Sequence, residues 1–218
     1  MSQDNPVSIG RLVLVSGMIT LGVTVLRLVG ELQHWSKVWF NPEPGGGFAP
    51  IGIVWLPVVF GIYFALKLAG AGAGPTSLGK AFGFTALGLL LNVAGVFLFA
   101  TAQFSGAKFA AACVLMALSA VTPLLGWPSL GKTLLAYAYA ARIPVVAIMY
   151  FALRDSWGTH YDGAPPNLPE MGFFSKFLLI GVLPHLIGWI AFTVIVGSLA
   201  GAITATVARR GGRVAATS

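Results

Sequence analysis

Charge is what this chain has least of. Of its 218 residues only 9% are Asp, Glu, Lys or Arg, against about 25% in a soluble domain. A water-facing surface cannot be covered with so few ionised groups. Acids are scarcer still, six against thirteen Lys and Arg. The excess of +7 does not amount to a phosphate-tracking stripe, because the cations are thinly spread, so nucleic acid is excluded as a partner. There is one cysteine, Cys113. It has no intramolecular disulfide partner, and a zinc knuckle is impossible. The motifs of several enzyme classes are also missing. There is no Walker loop, no HExxH and no G-x-S-x-G. Gly45-Gly46-Gly47 lacks a following Lys and reads as a flexible re-entrant turn. No cofactor is expected.

What is present is hydrocarbon. Hydrophobic residues make up 57% of the chain and the mean hydropathy is +0.86. The solvent for most of these side chains is lipid, and the lipid bilayer is the first partner to expect. A bilayer core needs about 20 apolar residues as helix. Six segments qualify, near residues 12–32, 50–68, 81–104, 109–125, 130–153 and 177–208. The expected fold is an all-α, polytopic bundle forming one transmembrane domain over residues 1–218. Loops of residues 33–49 and 154–176 lie on the outer side. The first run has no A-x-A-type cleavage pattern and reads as a retained span. Pro57, Pro123, Pro144 and Pro184 are expected to kink or distort their helices. No internal repeat is evident, so the inverted-repeat logic of many transporters gains no support.

The sign of the flanking charge sets the orientation. Six spans put both termini on one side. That side holds Arg11, Lys67, Lys80, Lys132, Arg209, Arg210 and Arg213, and the other holds Lys37, Lys108, Arg154 and Lys176. Five of the six acids fall on the second side. The bias predicts cytoplasmic termini in a multi-pass protein of the cell membrane.

A few polar residues interrupt the oily runs. Arg27, Glu31 and His34 follow one another at i, i+4 and i+7 and share one helix face. A charge inside lipid costs about 2.5–3.5 kcal/mol on insertion scales, and pairing Arg27 with Glu31 reduces that cost. Arg142 lies ten residues past Lys132 and twelve before Arg154, which is about 15–18 Å from either boundary. It is too deep to snorkel, so it must face the interior, a partner or water. His185 follows Pro184 and is also deep. Gly188, Trp189 and Thr193 continue its face at helical spacing. Tyr137, Tyr139 and Tyr150 are further hydrogen-bonding groups on the fifth span, with aromatic packing as their ordinary role.

Metal chemistry is a weak alternative. Glu31-Leu-Gln-His34 has the Glu-x-x-His spacing of di-iron bundles, but only one copy is present where two are needed. His160 and Asp162 share the outer side with Glu31 and His34 and complete a weak candidate set. Haem ligation by two histidines fits poorly, because His34, His160 and His185 differ in depth. Gly197-x-x-x-Gly201, Gly83 and Gly88 suit close helix contact.

The expected function is a channel or transporter for a small ion or solute. Its pathway would be lined by Arg142, His185, Arg27, Glu31 and His34, in a homo-oligomer or a larger membrane complex. The alternatives are a membrane-embedded enzyme or lipid-modifying protein with an outward-facing site, and a structural subunit of a larger membrane complex.

Overall fold

The structure is a computed structural model describing residues 8–45, 49–102, 104, 106–166 and 168–215, with side chains described to Arg210. The Gly46–Gly47 part of the glycine turn and Asn167 of the second outer loop lie outside these residues. The elements are α1 (Ile9–Leu32), α2 (Leu56–Gly70), α3 (Leu78–Thr101), α4 (Gly106–Gly126) and α5 (Pro128–Asp155). They are followed by α6 (Phe173–Lys176), two π-helical segments (Phe177–Val182 and Pro184–Gly188) and α7 (Trp189–Ala215). The last four run on as a single rod, of which Phe173–Arg210 is long and apolar enough to span a membrane. Among the described residues five helices meet that criterion, and α2 is a sixth, shorter apolar one. The fold is therefore an all-helical bundle of the multi-pass membrane class.

The rods alternate in direction. Along α1 and α5 the contacts advance together, Thr20 with Tyr137 and then Glu31 with His160 just past the end of α5, so these two run parallel. The pair α2 and α7 also runs parallel, with Gly61 against Gly197 and, further on, Pro75 bonded by Arg209. Odd rods thus run one way and even rods the other, so the start of α1 and the end of α7 lie at one end of the bundle.

Local chemistry explains the ends. Ser8 and Ser77 cap α1 and α3 by accepting from the backbone N–H three residues on, at Arg11 and Lys80. The second rod differs from expectation. Its apolar run begins at Pro50, but the helix begins at Leu56, and residues 50–55 are irregular. Pro57 sits in the first turn, where its missing N–H would have had no helical partner anyway. It starts the helix and does not kink it. Irregular backbone at membrane depth survives only when buried in protein or lining a cavity. Here Ile53 packs against the core, and a Cβ on Gly52 would sit 3.0 Å from the Arg27 guanidinium.

Small residues set the tightest helix contacts. A Cβ on Gly61 would collide with the Gly197 carbonyl, and one on Gly201 would meet Leu130 and Ala65. The Gly197-x-x-x-Gly201 face is therefore used inside the chain, between α2 and α7. Gly95 meets Met116 and Ala112 across the α3–α4 hairpin, and Gly88 meets Ser119 and Thr122. Gly83, expected to serve likewise, has open space at its Cβ position. The main core gathers Phe60 and Phe64 of α2 around Tyr137 of α5, with ring centroids 5.0 and 5.8 Å from the tyrosine. Leu130, Leu134, Ile190 and Val194 fill the space around them.

Pro184 reshapes the last rod. It cannot donate to the carbonyl one turn back, and the helix on both sides of it widens into π-helical turns. Such widening is frequently found at functional sites.

Candidate functional site

A polar seam runs the length of α1. Ser16, Thr20, Thr24, Arg27 and Glu31 are all buried, and their spacing of four, four, three and four puts them on one face. Each hydroxyl donates to the carbonyl four residues back: Ser16 to Leu12, Thr20 to Ser16 and Thr24 to Thr20. The threonine oxygens keep acceptor capacity. Because Thr20 Oγ1 already donates within its helix, the Tyr137 hydroxyl 2.9 Å away donates to it. Sequence reasoning singled out the charged end of this seam but missed Ser16, Thr20 and Thr24. The signal was there as hydroxyls at four-residue spacing in an otherwise apolar run.

At the loop end of the seam Arg27 Nε donates to Glu31 Oε1 at 2.8 Å, and the pair is almost wholly shielded, with side-chain exposures of 8% and 0%. The expected pairing is present. Its second partner comes from the other end of the chain. Both Glu31 oxygens accept from His160, whose Nδ1 is 2.7 Å from Oε1 and 2.8 Å from Oε2, and whose backbone N–H reaches Oε2 at 3.0 Å. Nδ1 must carry a proton to donate to a carboxylate. Arg27 also donates to the Asn41 carbonyl at 3.2 Å. One carboxylate thus ties α1 to the loop after α5, and one guanidinium ties it to the loop before α2. The two loops meet each other as well: a Cβ on Gly163 would stand 2.8 Å from Pro44.

The loop is built to deliver His160. Asp162 accepts from the backbone N–H groups of Gly158 and Thr159 and from the Thr159 hydroxyl at 2.7–2.9 Å. These bonds close a tight turn that presents His160 and Tyr161 toward the bundle. Tyr161 is buried and its hydroxyl donates to the Thr24 carbonyl at 3.3 Å. Burial lifts the Tyr161 phenol well above its ordinary value, so it stays neutral. Burial likewise holds the His160 imidazole below its ordinary value, and the Glu31 carboxylate pulls it back only in part. At neutral pH the cluster is one guanidinium, one carboxylate and one neutral imidazole.

The other expected site residues lie elsewhere. His34 does not join the cluster. It follows the C-cap of α1 with a φ of 52° and is exposed, because α1 ends at Leu32 and the left-handed turn swings the side chain off the face it would otherwise share. Of the weak metal candidates, Glu31 and His160 meet, whereas the Asp162 carboxylate is taken up by its own turn. Among the described residues no group of three His, Cys, Asp or Glu stands in metal-ligating range.

Arg142 sits at mid-length in α5 and is only 4% exposed. Glu31, a candidate partner for it, is already used by Arg27 and His160. Among the described residues Arg142 makes no hydrogen bond, and its Nε is buried without a partner. Its guanidinium carbon lies 4.5 Å from the centroid of the Trp189 ring, a cation–π contact that compensates part of the buried charge. Tyr137, Tyr161 and His185 are within electrostatic range. His185 occupies the second π segment, one turn before Trp189, and its Nδ1 donates to the Gly181 carbonyl at 2.9 Å. If the ring is neutral, that bond leaves Nε2 as an acceptor. No hydrogen bond joins Arg142 to His185 among the described residues. Trp189 is the residue that relates them, one turn from His185 and face-on to Arg142.

Comparison with protein-family models, with curated proteins and with solved structures finds no match for this chain.

Proposed function

We propose that this multi-pass membrane protein is a channel or transporter for a small anionic solute, with Arg142 as its binding residue. The observation that carries this reading is a buried guanidinium at mid-helix with no carboxylate and no hydrogen bond among the described residues. A buried cation without a counter-charge is costly, and proteins retain such groups where a ligand completes them. A small anion fits that role, since it would supply the missing charge and accept from Nε. Trp189 holds the guanidinium in place without consuming its donors. The His185 Nδ1 is committed to the Gly181 carbonyl and so is not available to the anion.

In the same reading the Arg27–Glu31–His160 cluster is a latch. It closes the bundle end where the two loops meet, and its groups satisfy one another and leave no free charge for a solute. The Lys and Arg asymmetry supports termini in the cytoplasm and therefore a latch on the outer face of the cell membrane.

The test is anion flux in liposomes made with the full chain. Wild type should pass a small monovalent anion, and Arg142→Leu should abolish or invert the selectivity while its thermal unfolding in detergent stays within a few degrees of wild type. If wild type moves no solute and Arg142→Leu only unfolds the protein, Arg142 is structural. A scaffold role in a larger membrane complex would then replace transport.

A further inference from the structure

A hollow of about 330 Å³ opens on the flank of the bundle, between α3, α4 and the start of α7. That volume lies at the lower end of the roughly 300–1,000 Å³ range of small-ligand sites. Its walls are apolar, chiefly Val96, Phe99, Met116, Pro184 and Phe192, with one exception, Asn92. Asn92 is fourteen residues into α3 and nine from its end, or about 21 and 14 Å along the helix. It is thus near mid-span, and the neighbours Leu90, Val93 and Phe97 are exposed as lipid-facing residues are. Among the described residues Asn92 makes no hydrogen bond, and its Oδ1 is buried without a partner. A primary amide left unsatisfied in hydrocarbon is costly, so something must complete it.

Three occupants can be weighed on physical grounds. Water needs two to four polar partners to settle in a cavity, and the lining side chains offer the Asn92 amide and at most the Trp189 indole N–H. A helix from a second copy is about 10 Å across with its side chains, too thick to enter a hollow of this volume. A single hydrocarbon chain is slim enough and matches the walls. Its polar group must complement an amide that both donates and accepts, and must carry no charge at this depth. A hydroxyl or an un-ionised carboxyl meets both conditions.

We infer that this hollow is a binding site, entered from the lipid, for a single-chain lipid whose hydroxyl-type head group pairs with Asn92. Trp189 lines the hollow and also stacks under Arg142. An occupant would therefore touch the residue that positions the buried guanidinium.

The test uses the full chain in liposomes with diazirine-bearing probes, a long-chain alcohol, the matching acid and its methyl ester. Labelled peptides are identified by mass spectrometry. Labelling should concentrate on residues 92–99 and 184–192 with the alcohol, the acid or both, and which of the two reacts identifies the head group. The ester, which cannot donate, should label those segments more weakly. Asn92→Val should reduce the labelling roughly threefold to thirtyfold, the range of one hydrogen bond inside a membrane. Gly188→Leu should block the hollow, because a Cβ at Gly188 meets only Met116, at an ordinary 3.5 Å. Equal labelling by the ester, no effect of Asn92→Val, or labelling spread evenly along α3 would each overturn the inference. No flux is measured, so the outcome is independent of the role assigned to Arg142.

Discussion

Arg27 and Arg142 are both buried arginines in apolar helices, at 7% and 4% exposure, and they have opposite surroundings. Arg27 has a carboxylate at 2.8 Å and a loop carbonyl at 3.2 Å. Arg142 has an aromatic face and an orphaned Nε. Low dielectric makes both the pairing and its absence consequential. A satisfied buried charge fixes one structure, as the latch does for two loops and a helix end. An unsatisfied one is a standing cost.

The comparison breaks most clearly at the latch. Glu31→Ala should destabilise the protein in detergent by about 3 kcal/mol, the low end for one lost member of a buried pair, because it strands Arg27 and frees His160 together. The double change Arg27→Gln, Glu31→Gln should cost less than the single one. Arg142→Leu should cost little by the same thermal-unfolding measurement or even stabilise, since it removes a charge that no carboxylate pairs among the described residues and that the Trp189 ring compensates only in part. Equal losses from Glu31→Ala and Arg142→Leu would erase the distinction between the two sites.

A smaller effect is expected along the seam. Tyr137→Phe deletes the bond to Thr20 while keeping the ring against Phe60 and Phe64. About 1 kcal/mol should be lost, the usual net worth of a buried hydrogen bond, read as a shift of the unfolding midpoint.

Acid should loosen the latch through His160. Its native pKa is depressed by burial, so below the ordinary histidine value of about 6.5 the unfolded chain binds the proton more readily. Stability should therefore be full above about pH 6.5 and fall as the pH drops below it. Protection factors of the 156–163 amides, which allow for the intrinsic slowing of exchange in acid, should fall over that window in wild type, and His160→Gln should flatten the dependence. Protection that rises on acidification would mean that attraction to Glu31 outweighs burial.

The smallest effect belongs to His34. Asparagine tolerates the left-handed conformation that His34 adopts, and the side chain is exposed. His34→Asn should change stability by less than about 0.5 kcal/mol and leave anion flux as it was. A flux change would return His34 to the pathway.

Much of this molecule could be read along the chain, because span length and composition are properties of consecutive residues. The five long rods follow from runs of about 20 apolar residues, and the Arg27–Glu31 pair follows from a spacing of four on one helix. Positions where backbone and packing compete were less legible. Pro50 to Trp55 is apolar enough to be helix, yet it is irregular beside Arg27, and Pro57 opens a helix it was expected to bend. Helix spacing carried His34 onto the Glu31 face, but a left-handed turn removed it.

Composition and local spacing by themselves determined that the chain is a bundle of membrane-type helices with a few buried polar groups, since lipid tolerates little else. Only the tertiary structure decided which of those groups meet. His160 lies 129 residues from Glu31, and no local pattern encodes that contact. The same folding committed Glu31, a candidate partner of Arg142, to Arg27 and His160, turned Arg142 onto Trp189, and left Asn92 facing an apolar hollow. Pairing at that range depends on how rods of different length, contacting closely at Gly61 and Gly197, bring distant faces into register.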